Sequence, residues 1–64
     1  MKNCLRELRK QRGLTQDELA KALGVSRQTI NAIENDKYNP TLELAMRLAK
    51  YVNIPVETLF ILED

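Results

Sequence analysis

The chain has 64 residues, ten Lys or Arg against nine Asp or Glu, a net charge of +1, one cysteine and no histidine. A lone cysteine excludes an intrachain disulfide, the roughly four Cys/His ligands of a structural zinc site are missing, and no apolar run approaches the ~18 residues of a membrane span. A single domain over residues 1–64 is expected, and self-association is the support left open to it, because a chain this short buries only about 60% of its unfolded surface.

One cysteine and the charged opening MKNCLRELRK point to a reducing, cytoplasmic setting without a signal peptide. Cys4 reads as a small, partly buried helix residue; a redox sensor is the sharper alternative, and no second cysteine stands by to resolve it. Charge is unevenly placed. Residues 1–27 carry seven basic and three acidic side chains, a net +4, whereas residues 28–64 carry three basic and six acidic, a net −3. Random surface charge is the plain explanation; a side that faces a polyanion is the functional one.

Strand signals are nearly absent and helix signals are dense. A first helix is expected over Asn3–Arg12, with Leu5, Leu8, Arg9 and Arg12 on one stripe and Gly13 as its stop. Arg9 is out of place on an apolar stripe and calls for a partner inside the fold. The second helix opens at Thr15, because Thr15-Gln16-Asp17-Glu18 is a T-x-x-E capping box flanked by Leu14 and Leu19 as a hydrophobic staple. Leu19, Ala20 and Leu23 face inward, and Gly24 leaves room only for a tight turn.

Ser26 caps the third helix, and Val25 and Ile30 form a second staple. At about 100° per residue from Arg27, Gln28 lies near ~100°, Asn31 near ~40° and Asn35 near ~80°. Ile30 and Ile33 lie opposite, near ~300° and ~240°, with Glu34 at the core edge near ~340° as the natural partner for Arg9. The outer face of VSRQTINAIEN is therefore made of directional hydrogen-bonding groups rather than the charges of an ordinary solvated face. Asn35 to Pro40 is a loop of turn formers. Thr41 caps a fourth helix over 42–52, whose apolar face is read as Leu42, Ala45, Met46, Leu48, Ala49 and Val52. Pro55 starts a short fifth helix reaching about Phe60. The apolar tail Leu59-Phe60-Ile61-Leu62 reads as core, dimer surface or, least of all, membrane contact. A strand from Thr58 to Leu62 against Met1–Cys4 is a weaker expectation.

Residues 16–35 form two short helices about a glycine corner, with small Ala20 where the helices meet and apolar Leu19, Ile30 and Ile33 locking their angle. This is the helix-turn-helix arrangement. The stretch LRKQRGLTQDELAKALGVSRQTINAIENDKYNP resembles the helix-turn-helix domains of phage Cro and repressor proteins, the xenobiotic-response-element-like regulators. The combination L-T-Q-x-E-L-A, turn Gly, S-x-x-T-I and I-E-N is far more specific than a bare two-helix pattern. The resemblance implies an all-α, five-helix, lambda-repressor-like DNA-binding domain, to which the residue pattern at the two ends adds the weaker expectation of a short terminal β-strand pair.

By that resemblance Gln16 binds phosphate and braces the third helix, while Arg27, Gln28 and Asn31 face the major groove. Thr29 meets phosphate or a thymine methyl, and Lys37 and Tyr38 meet the backbone. Ser26 is a phosphate-suited hydroxyl. Arg9 and Glu34 match a buried ion pair. Ala32 departs from the pattern, since some relatives place a base-reading glutamine there, and this leaves the bases unassigned. The residue types fit the chemistry: Arg pairs with guanine O6 and N7, Gln or Asn with adenine N6 and N7, and Lys, Tyr and Ser suit phosphates. For Tyr38, core packing or loop support competes with phosphate contact.

A homodimeric, sequence-specific repressor on a near-palindromic double-stranded operator is the leading expectation, with Leu59, Phe60, Ile61 and Leu62 in a dimer segment over 59–64. No cofactor, metal, membrane or small-molecule partner is expected. An antitoxin is a second reading, decided by a neighbouring toxin gene. A protein-interaction module is a third, and it predicts an apolar or acidic third-helix face. No histidine, one cysteine and no phosphate-cradling glycine loop argue against an enzyme.

Overall fold

In the computed structural model, which describes residues 1–63, the order is β1 (Lys2–Asn3), α1 (Leu5–Gln11), α2 (Gln16–Leu23), α3 (Arg27–Glu34), α4 (Leu42–Val52), α5 (Val56–Leu59) and β2 (Phe60–Ile61). Five helices enclose one core, and the two strands pair antiparallel with Lys2 opposite Ile61 and Asn3 opposite Phe60. The strand pair joins the two ends of the described chain.

Side-chain caps set three helix starts. The Thr15 Oγ1 accepts from the Glu18 N–H at 3.0 Å, and the Glu18 carboxylate accepts from the Thr15 N–H at 2.9 Å, the reciprocal box. Ser26 Oγ accepts from the Thr29 N–H at 3.1 Å, and Thr41 Oγ1 from the Leu44 N–H at 3.2 Å. The ends of α1 to α4 share one device. At Gly13, Gly24, Asp36 and Asn53 the chain turns left-handed, with φ between 59° and 70°. The next residue's N–H then reaches back five positions, as from Val25 to the Ala20 carbonyl at 3.0 Å and from Lys37 to the Ala32 carbonyl at 2.9 Å. At Gly24 the left-handed conformation makes the corner between α2 and α3, where any Cβ would be strained.

Leu5, Leu19, Ile30, Ile33, Leu48, Val52 and Leu59 are fully enclosed, so every helix contributes to one cluster. Among them lies an ion pair. Arg9 Nε donates to Glu34 Oε2 at 2.7 Å and Nη2 donates to Oε1 at 3.2 Å, while Nη1 donates to the Leu14 carbonyl at 2.7 Å. Both residues are 8% exposed. The pair fastens α1 to α3 and, through Leu14, to the approach of α2.

Several boundaries and faces differ from the sequence expectation. Helix α1 starts at Leu5 rather than Asn3, because Asn3 pairs in β1 and its Oδ1 accepts from the Leu5 N–H at 3.1 Å. Arg12 leaves the apolar stripe and is exposed, its guanidinium donating to the Val52 carbonyl. On α4, Leu42 and Met46 are exposed, and Leu44 takes the inward position instead. Helix α5 is shorter at both ends: Pro55 is its cap, and Phe60 turns extended (φ −112°, ψ 131°) to enter β2. That turn divides the apolar tail. Leu59 and Phe60 lie in the chain's own core, so their expected place on a dimer surface is corrected; only Ile61 and Leu62 project outward. Asp64, the last residue of the expected 59–64 segment, lies outside the described residues.

Removing Arg9 leaves Glu34 buried beside weaker partners. Arg9→Ala should therefore lower unfolding free energy by about 3–5 kcal/mol, and Arg9→Met combined with Glu34→Leu should recover much of it. Urea unfolding of both variants checks this; an Arg9→Ala chain as stable as the parent would leave the pair without energetic consequence.

Candidate nucleic-acid interface

Helix α3 presents two faces. Ile30 and Ile33 enter the core, while Arg27, Gln28 and Asn31 are exposed. Across the corner, Gln16 at the first turn of α2 joins them, and these four line one concavity between the two helices. A second hollow beside it is lined by Lys10, Gly13, Thr15, Gln16 and Arg27 together with Arg9 and Asp17. Cationic groups outnumber the lone Asp17 there, so the hollow favours an anion.

Gln16 is held from behind. Its Nε2 donates to Glu34 Oε1 at 3.1 Å, and its Oε1 accepts from Asn31 Nδ2 at 3.5 Å. Ser26 and Thr29 face each other, Oγ to Oγ1 at 2.9 Å, and Ser26 also caps the helix, so both hydroxyls already have local work. Lys37 and Tyr38 sit on the loop after α3, exposed and apart from the Gln16–Asn31 concavity. Tyr38 is 42% exposed, which removes core packing as its role.

Three further residues surround this face; Asn35 lies on the hydrogen-bonding side its helical angle indicated, whereas Arg6 and Asn3 were not among the expected site residues. Arg6 donates from Nε to Glu34 Oε1 at 3.4 Å and from Nη2 to Asn35 Oδ1 at 2.8 Å. Asn35 Nδ2 donates to the Asn31 carbonyl at 2.9 Å and to Asn31 Oδ1 at 3.1 Å. Asn3 Nδ2 donates to the Ile33 carbonyl at 2.8 Å, tying β1 to the end of α3. Arg6 lies three residues before Arg9, hence on nearly the same helix side; that spacing was the available clue.

Glu34 is the shared acceptor. Burial pushes its carboxyl up, but hydrogen bonds from Arg9, Gln16 and Arg6, with the Arg9 charge, outweigh burial and hold it below the ordinary carboxylate range. Among the described residues, no three His, Cys, Asp or Glu are grouped to hold a metal ion, and no helix is long and apolar enough to cross a membrane.

Comparison with known proteins follows the same lines. The family model described as Helix-turn-helix matches residues 5–59. An uncharacterized HTH-type transcriptional regulator of Methanocaldococcus jannaschii is 55% identical, over all of this chain and 97% of that protein. The cryptic phage CTXphi transcriptional repressor RstR of Vibrio cholerae is 38% identical over 86% of this chain and 50% of its own length. The crystal structure of the restriction-modification controller protein C.AhdI from Aeromonas hydrophila superposes with a TM-score of 0.78 at 36% identity, covering 88% of this chain and 85% of that one.

Because its folded-state pKa is lowered, Glu34 contributes stability that is complete above the unfolded value of about 4.3 and is lost as pH falls through the folded value. As pH falls below about 4.3, the parent should therefore lose stability more steeply than Glu34→Gln. Denaturant midpoints across that range test the assignment, and parallel curves would place the acid sensitivity elsewhere.

Proposed function

The chain belongs to the helix-turn-helix family of transcriptional regulators, and from that premise we propose that it is a repressor that reads a palindromic double-stranded operator as a homodimer. The observation that carries the reading is the convergence of Gln16, Arg27, Gln28 and Asn31 on one exposed concavity without an acidic side chain. In this reading α3 enters the major groove, where Arg27 matches guanine and Gln28 and Asn31 match adenine. Lys10 and Gln16 take phosphate at the neighbouring hollow, with Ser26 and Thr29 at the rim of α3, and Lys37 and Tyr38 take phosphate beyond its other end. A repressor role is supported by the similarity to RstR, which is named as a repressor.

Residues 1–64 are taken as one DNA-binding domain. A single short α3 makes too few base contacts for tight, selective binding; two copies about a two-fold axis read half-sites about 34 Å apart. The dimer surface we assign is the exposed end of the terminal sheet. Ile61 is 50% exposed and Leu62 is 75% exposed. Leu62 borders an apolar groove with Met1, Pro40, Leu42 and Val56. A cluster of this kind on so small a chain marks an association surface.

Gln28→Ala should cost about 1–3 kcal/mol on the selected operator and relax preference at one position per half-site. Lys37→Ala should weaken binding to all sequences about equally. Selection of bound duplexes from random DNA reads both; an unaltered motif for Gln28→Ala would remove Gln28 from the groove.

Changing Ile61 and Leu62 together to Asp should leave a folded monomer with weak, salt-sensitive DNA binding. Light scattering that still reports a dimer would move the interface to another face.

A further inference from the structure

Five side chains close a ring beside the concavity, sharing Gln16 and Asn31 with its lining. Starting from the core, Gln16 Nε2 donates to Glu34 Oε1 at 3.1 Å, and Asn31 Nδ2 donates to Gln16 Oε1 at 3.5 Å. From the other side, Asn35 Nδ2 donates to Asn31 Oδ1 at 3.1 Å, and Arg6 Nη2 donates to Asn35 Oδ1 at 2.8 Å. Arg6 Nε closes the ring on Glu34 Oε1 at 3.4 Å.

The ring contains three amides, each of which is able to flip, and two groups that cannot. A carboxylate only accepts and a guanidinium only donates. Glu34 therefore obliges Gln16 to turn its NH2 inward and its oxygen toward Asn31, so Asn31 must answer with Nδ2. Arg6 obliges Asn35 to turn its oxygen toward α1 and its NH2 toward Asn31, so Asn31 must answer with Oδ1. The two demands agree. A flipped Asn31 would set oxygen against oxygen at Gln16 and NH2 against NH2 at Asn35. The long 3.5 Å link to Gln16 is the weaker restraint, and the Asn35 link is the stronger. Asn35 is itself steadied by its second bond to the Asn31 carbonyl at 2.9 Å.

We infer that Arg6 and Asn35 are positioning residues that fix the amide orientation of Asn31 and thereby the base it prefers. The inference rests on the proposal that Asn31 faces the groove. An asparagine amide has two N–H groups and two oxygen lone pairs. The ring takes one of each and leaves one donor and one acceptor, the pair that adenine N7 and N6 require. Arg6 stands on α1, outside the helix-turn-helix unit, and sets readout through Asn35.

The test is duplex selection from random DNA with the parent, Asn31→Ala, Arg6→Ala, Asn35→Ala and the Arg6→Ala/Asn31→Ala double variant. Side-chain amide NMR of Asn31 in the DNA-free proteins accompanies it. Arg6→Ala and Asn35→Ala should each lose about three- to tenfold of the preference at the same base position that Asn31→Ala relaxes, with the double variant no worse at that position than Asn31→Ala alone. Both single variants should also shift the Asn31 amide resonances and speed their hydrogen exchange. Asn35→Ala leaves the Glu34 bonds intact, so it answers the question even if Arg6→Ala folds poorly. A uniform loss of affinity with an unchanged motif would overturn the inference, as would a change at a different base position or a motif indifferent to Asn31→Ala. A parent that selects no motif would overturn the groove assignment itself.

Discussion

One buried carboxylate organises this molecule. Glu34 accepts from Arg9 and Arg6 of α1 and from Gln16 of α2 while belonging to α3, so three helices meet on two oxygen atoms. Apolar contacts hold helices together at a range of angles, because dispersion has little direction. Charge-assisted hydrogen bonds restrict both distance and angle. The apolar cluster provides the driving force for folding, and Glu34 selects the relative placement of α1, α2 and α3 from the arrangements that the cluster permits.

That division bears on what such a pair is for. A buried ion pair is a poor source of net stability, since well-packed apolar residues of similar volume are often as good or better. Apolar substitutes would have no way to orient Gln16. The Glu34 carboxylate uses one oxygen to receive the Gln16 amide, and Gln16 stands at the edge of the exposed concavity. The interior and the outer face of α3 are thus joined by hydrogen bonds with a defined donor and acceptor sense, and the interior carries information about orientation as well as cohesion.

The helix-turn-helix unit was legible in the sequence because its signals are local. Thr15 and Glu18 specify a start, Gly24 a corner, and the spacing of Ile30 and Ile33 an inward face; each works within a few residues of itself. Arg9 was legible through its misfit, a charge on an apolar stripe. What escaped depends on distant partners. Asn3 lay inside a plausible helical run until pairing with Phe60 took it into a strand. Leu44 and Met46 exchanged places because the broad apolar content of α4 does not say which stripe meets α2. Leu59 and Phe60 are distinguished from Ile61 and Leu62 only by the extended turn at Phe60, which composition does not encode. Arg6, and its link to Asn35, escaped for a related reason: the bonds that give Arg6 meaning span 28 and 29 positions.

The terminal strand pair has a kinetic side. Lys2 and Ile61 are partners from nearly opposite ends of the chain, and the entropic cost of closing a loop rises with the logarithm of its length. The hydrogen bonds between α2 and α3 span 15 and 18 positions, so they form at less such cost, and local structure generally precedes distant pairing. The corner that carries Gln16, Arg27 and Asn31 is therefore built from early, inexpensive contacts, and the strand pair from late ones. On the assignment of Ile61 to the association surface, a nascent chain can complete its reading corner from nearer contacts before the far-separated strand pair that presents that surface closes.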